Sequence, residues 1–95
     1  MSETAKRLKE LGVVLPKPAA PVANYVPYVR AGTLLFVSGQ IPLGPDGKLA
    51  ERHKGKLKAD SEIDAAREAA RLCVVNVLAQ AHAALGDLDA IAQVV

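Results

Sequence analysis

The stretch from Ser61 to Gly86 constrains this chain more than any other. It holds no proline, and no glycine before Gly86. Ser61-Glu62-Ile63-Asp64 has the form of a capping box, with Ser61 as N-cap and Asp64 at N3. Acidic residues at that end suit the positive pole of a helix. Ile63, Ala66, Ala70, Cys73, Val77, Ala81 and Ala84 recur at spacings of three and four. This predicts one apolar stripe on a long helix, ended by Leu85 with Gly86 as the C′ residue. Such a stripe has to be laid on another layer of structure.

The residues before it supply that layer. Tyr25, Val26, Tyr28 and Val29 form a β-prone run, which Pro27 reduces to an edge or bulged strand. Ala31-Gly32-Thr33 reads as a tight turn, and Leu34 to Ser38 as a buried strand, so a β-hairpin is expected. Gly44-Pro45-Asp46-Gly47 has Pro at i+1 and Gly at i+3 of a type I turn. Lys48 to Lys58 is polar and basic and is expected to loop over the surface.

The flanks are simpler. Ser2 to Leu11 predicts a short helix with Ser2 as N-cap, Leu8 and Leu11 on one face and Gly12 at C′. Val13 to Pro21 carries Pro16, Pro18 and Pro21 and reads as an extended connector. Asp87 to Asp89 predicts a turn, and Ala90 to Val95 the opening of a new strand. A strand left half-made exposes backbone donors and acceptors. The expectation is therefore one domain over residues 1–95, incomplete at its C-terminus. Residues 1–21 form the helix and connector, and residues 22–95 the domain core.

Charge and composition narrow the function classes. The net charge of +2 and three aromatic residues, Tyr25, Tyr28 and Phe36, speak against a dedicated nucleic-acid surface. The single Cys73 excludes an intrachain disulfide and fits a reducing compartment. The charged N-terminus has no signal-peptide h-region, and no apolar run is long enough to span a bilayer. A cytoplasmic protein without a membrane partner is expected.

The order helix, connector, hairpin, loop, long helix, strand frames a specific block. Gly32-Thr33-Leu34-Leu35-Phe36-Val37-Ser38-Gly39-Gln40-Ile41-Pro42 strongly resembles the RidA/YjgF family, whose signature here is a turn glycine, an apolar strand and Ser-Gly-Gln-Ile-Pro. Asn76, Leu78 and Ala84-Leu85-Gly86-Asp87-Leu88 are also similar to that family. The N-terminal Leu-Gly-Val-Val-Leu-Pro and Val-Ala-Asn-Tyr-Val-Pro resemble its YjgF/chorismate-mutase-like endoribonuclease branch.

The resemblance implies an α+β, chorismate-mutase-like sheet with helices packed on one face. It also implies a homotrimer with clefts between subunits that take a small-molecule ligand, and no cofactor or metal. Active members hydrolyse enamine or imine intermediates such as 2-aminoacrylate. An arginine holds the substrate carboxylate, and an acidic residue assists the water. Both belong to the family's C-terminal part, and none of Arg30, Arg52, Arg67 or Arg71 falls on the arginine's position. Catalytic residues are therefore assigned to no position here.

The substrate-binding positions that carry over are Tyr25 at the cleft, Ser38 and Gly39 on the pocket floor, and Gln40 beside them. Each has a plain structural reading as well. Tyr25 can pack at a strand edge, Ser38 and Gly39 can form a curvature bulge, and Gln40 can brace the backbone.

Other chemistry-bearing residues read as structural. His53, in the run Arg52, His53, Lys54, Lys56, Lys58, is expected on a solvated loop. His82 has no second ligand at metal spacing, and Cys73 reads as a small buried residue. Three functions follow in order: a RidA-like deaminase acting in a complete trimeric domain, with this chain inactive by itself; a non-catalytic small-molecule-binding or regulatory trimer; and an endoribonuclease-like protein.

Overall fold

The structure, a computed structural model, describes residues 3–18, 26–57 and 60–95, without the Ser61 side chain. Four main elements follow in order: α1 (Glu3–Glu10), β1 (Tyr28–Ala31), β2 (Leu34–Val37) and α2 (Ile63–Leu85). Short 3-10 turns occupy Glu51–His53, Asp60–Glu62 and Leu88–Ala90.

β1 and β2 pair antiparallel, with Tyr28 opposite Val37 and Ala31 opposite Leu34. Gly32, at φ 60°, takes the first of the two turn positions. A two-residue II′ turn demands a glycine there, because its backbone runs into the left-handed region. The alternation of side chains splits the hairpin into two faces. Leu35 and Val37 are half-buried on the face that α2 packs against. Val29, Leu34 and Phe36 are exposed on the other. The architecture is α+β, with helix on one side of the sheet.

α2 has the predicted length, but the side it covers is turned. Of the expected stripe, Ile63, Ala70 and Val77 are exposed, Ala66, Cys73 and Ala84 half-buried and Ala81 buried; the other buried residues, Asn76, Ala79 and Gln80, and the half-buried Ala65, Ala69 and Leu72 lie off it. The cause lies in the sequence. Alanines stand on every side of this helix, so periodicity fixes its orientation poorly. The residue that does fix it, Asn76, is an amide that an apolar stripe leaves out.

Both helices end as expected. Val13 N donates to Leu8 O (2.8 Å) and Gly12 N to Lys9 O (3.1 Å), the paired bonds of a Schellman motif after α1. After α2, Gly86 sits at φ 78° and donates to His82 O at 2.8 Å. The start of α2 differs. A 3-10 turn leads in, and Glu62 (φ −92°, ψ 0°) precedes the first helical residue without a side-chain cap bond. The expected Ser61 cap rests on a side chain outside the described part, as does the Ser2 cap of α1.

α1 has a different cap. The Asp89 carboxylate accepts from Glu3 N and Thr4 N, each at 2.8 Å, and from the Thr4 hydroxyl. Those hydrogen bonds, the Thr4 hydroxyl's first, hold the Asp89 carboxyl below the usual carboxylate range, although partial desolvation opposes them. Leu88, 4% exposed, is anchored in the small core beside it. Leu8 is half-buried and Leu11 exposed, so only one of the two predicted contact leucines of α1 is covered.

Two expected features are corrected. Ala90 to Val95 is not a strand: a 3-10 turn covers Leu88–Ala90, and Ile91 onward runs without a ladder partner among the described residues. A strand exists only as part of a ladder, and no neighbour is there to pair with it. The loop after Lys48 is more ordered than expected. Gly47 N donates to Gly44 O at 2.9 Å, closing the predicted turn, and Leu43 bridges Leu49 antiparallel.

Candidate functional site

The segment leaving β2 is held from two sides. Ser38 N and Ser38 Oγ both donate to the Pro27 carbonyl, at 2.9 and 3.0 Å. The proline has no N–H of its own for the ladder, but its carbonyl ties the end of β2 to the residue before β1. From the other side, Asn76 Nδ2 donates to Ile41 O (3.0 Å) and Leu43 O (3.1 Å). Asn76 is 6% exposed, so one buried amide holds two backbone acceptors of this segment, and Ile41 O accepts from Leu43 N as well, at 2.8 Å.

Between these anchors lie the residues singled out from the sequence. Gln40 Nε2 donates to Ser38 O at 3.1 Å, folding its side chain back on its own segment. Gly39 is exposed, and a Cβ placed on it would meet nothing within 4 Å. No contact among the described residues therefore requires glycine there, and among them that side is open to a ligand or a neighbouring chain. The Ser38 hydroxyl has committed its hydrogen to Pro27 but can still accept a bond. Gln40 keeps its carbonyl oxygen and a second amide hydrogen. Tyr25 lies outside the described residues. Ser38, Gly39 and Gln40 thus share one short, fixed segment that offers two acceptors and a donor.

A second cluster escaped the sequence. The His53 side chain is 1% exposed, not solvated, and its Nε2 lies 3.1 Å from Glu68 Oε1 on α2. The contact is an ion-pair approach, and neither ring nitrogen has a hydrogen-bond partner of good geometry among the described residues. Arg52 holds the same carboxylate oxygen through Nε at 3.0 Å and through Nη2. The Arg52 hydrogen bond, opposed by partial desolvation and assisted by the charges of Arg52 and His53, lowers the Glu68 pKa. Together with Pro42, Lys48 and Leu49 these groups line a hollow of about 620 Å³. Nothing local in the sequence foretold the contact, since sixteen residues separate Arg52 from Glu68. Among the described residues no three His, Cys, Asp or Glu side chains converge to hold a metal ion. None of the described helices is long and apolar enough to cross a membrane.

Residues 5–95 match the family described as "YjgF/chorismate mutase-like, putative endoribonuclease". The chain belongs to this YjgF family. It is 44% identical over 91 residues to Protein TCP17 of Trypanosoma cruzi, covering 96% of this chain and 55% of that protein. Its fold matches a crystal structure described as a putative endoribonuclease from Shewanella oneidensis. There the TM-score is 0.86 and the identity 38%, covering 98% of this chain and 60% of that one. Atu1372 of Agrobacterium tumefaciens, a protein described as having unknown function, matches with a TM-score of 0.76 and 48% identity. That match covers 95% of this chain and 53% of Atu1372. The chain thus spans little more than half the length of these YjgF relatives. The YjgF fold expected from Gly32 to Pro42 and from Asn76 is present.

Proposed function

We propose that this chain forms one wall of the ligand cleft of a RidA-like deaminase, which hydrolyses reactive enamines and imines when the domain is complete and trimeric. The observation carrying this reading is the Ser38–Gln40 segment. It is fixed by Pro27 on one side and Asn76 on the other, and its glycine side is open. Catalysis is served by groups held in place before the substrate arrives. The reaction adds water across the C=N bond of an imine and expels ammonia, leaving a carbonyl. In the family an arginine binds the substrate carboxylate and an acid moves the protons. Neither has a counterpart in residues 1–95, so the chain alone is expected to be inactive.

The trimer is supported by the uncovered hairpin face. Val29, Leu34 and Phe36 are 51%, 54% and 59% exposed and adjacent. Contiguous apolar surface of this kind marks a contact surface. The direct test is ammonia release from 2-aminoacrylate by the full-length protein. Turnover lost in a Ser38→Ala, Gln40→Ala double variant supports the assignment. Ligand binding without turnover would favour the non-catalytic regulatory trimer. RNA cleavage without ammonia release would favour the endoribonuclease reading, which the family's description carries and the low aromatic content opposes.

A further inference from the structure

We propose that a second cleft, apart from the Ser38–Gln40 segment, binds a small monocarboxylate with a compact apolar body, and that Arg71 anchors its carboxylate. The cleft lies between the connector after α1, the Leu43–Pro45 turn and the Leu72 and Val75 side of α2. Among the described residues Arg71 is the one charged residue in its lining; Val13, Val14, Pro16, Leu43 and Pro45 make up most of the remainder.

Arg71 has no hydrogen bond or ion pair among the described residues, and the helix explains why. On α2 its neighbours at three and four residues are Arg67, Glu68, Val74 and Val75. Glu68 is the only carboxylate of the four, and Arg52 already holds it. A guanidinium is left beside an apolar hollow with its planar donor pair uncommitted. Such a fork matches a carboxylate two bonds at a time.

The volume sets the size of the body. The hollow measures about 260 Å³. An apolar cavity of about 150 Å³ holds one benzene ring, so a body of roughly six to ten carbons fits here. The walls are set in advance. Asn76 fixes the Leu43 carbonyl, and the Val13 N–H is bonded to Leu8. Val14, 84% exposed, gives apolar surface for the ligand to cover. With one lining cation among the described residues, a monoanion is matched in charge and a dianion is not, and the apolar lining disfavours polar anions.

Octanoate and octanol, titrated into the full chain with labelled methyl groups, test this. Octanoate is expected to shift the Val13, Val14, Leu72 and Val75 methyl signals and to bind more tightly than octanol. Arg71 is exposed, so Arg71→Gln leaves the fold intact; it should weaken octanoate about tenfold and leave octanol unchanged. Arg71→Lys should restore part of the loss. Equal binding of the two probes, octanoate affinity untouched by Arg71→Gln, or shifts confined to the Leu34 and Phe36 face would each overturn the proposal.

Discussion

Asn76 is the residue on which the site turns. Its amide reaches Ile41 and Leu43, thirty-five and thirty-three residues earlier. Asn76→Ala removes the donor and takes a bond from both carbonyls, of which Ile41 O keeps the Leu43 N–H and Leu43 O loses the Asn76 amide. The expected cost is about 1–3 kcal/mol, read as a lower urea midpoint with unchanged slope. The sequence offered Asn76 as a residue typical of the family and offered no partner for it, because a side-chain amide carries no sign of where its bonds go. His53 shows the same limit from the other side. Charged neighbours made it read as solvated, yet it is packed beside Glu68. Glu68→Gln is expected to lower stability at neutral pH and to flatten the acid limb. The Glu68 pKa is lowered on folding, so its contribution is present above the ordinary glutamate value and fades as pH falls through the folded one. Urea melts of both forms across the acid range check this.

Elements with local causes were legible, and those with distant causes were not. The hairpin turn at Gly32, the Gly44–Gly47 turn and both helix ends follow from short-range geometry and appear where expected. Gly86→Ala puts a Cβ into the left-handed region and should cost about 1–2 kcal/mol, measured by thermal melting. The rotation of α2 and the missing strand after Ala90 depend on what lies opposite, which periodicity does not report. The cap of α1 is the clearest such case, since its acceptor is Asp89 and not a neighbour in sequence. Asp89→Ala is expected to abolish amide-exchange protection in the first turn of α1 and leave α2 protected. Acid should do the same to the native chain. The Asp89 pKa is lowered on folding, so its contribution holds above the ordinary aspartate value and is lost as pH drops through the folded one.

At the scale of the whole molecule, α2 packs on one side of the hairpin, the small core is made of α2 alanines and amides with Leu88, and Val29, Leu34 and Phe36 on the hairpin's other side are exposed. The order of elements and the Ser-Gly-Gln-Ile-Pro block made the YjgF fold readable. The number of subunits was not, because a strand face looks alike whether it meets a helix or another copy. If the proposed trimer forms through this face, Phe36→Asp in the full-length protein is expected to reduce it to monomers in sedimentation experiments while keeping the hairpin register. An oligomer unchanged by Phe36→Asp would show that this face is not the seam.

The link between Thr4 and Asp89 also orders events at the ribosome. At about 5–20 residues per second, Thr4 is translated roughly 4–17 seconds before its acceptor Asp89. Through that interval a helix of eight residues lacks both its Asp89 cap and its docking site, too short to persist unaided. It is therefore expected to settle only after Asp89 has been made, although it is translated before the hairpin and α2.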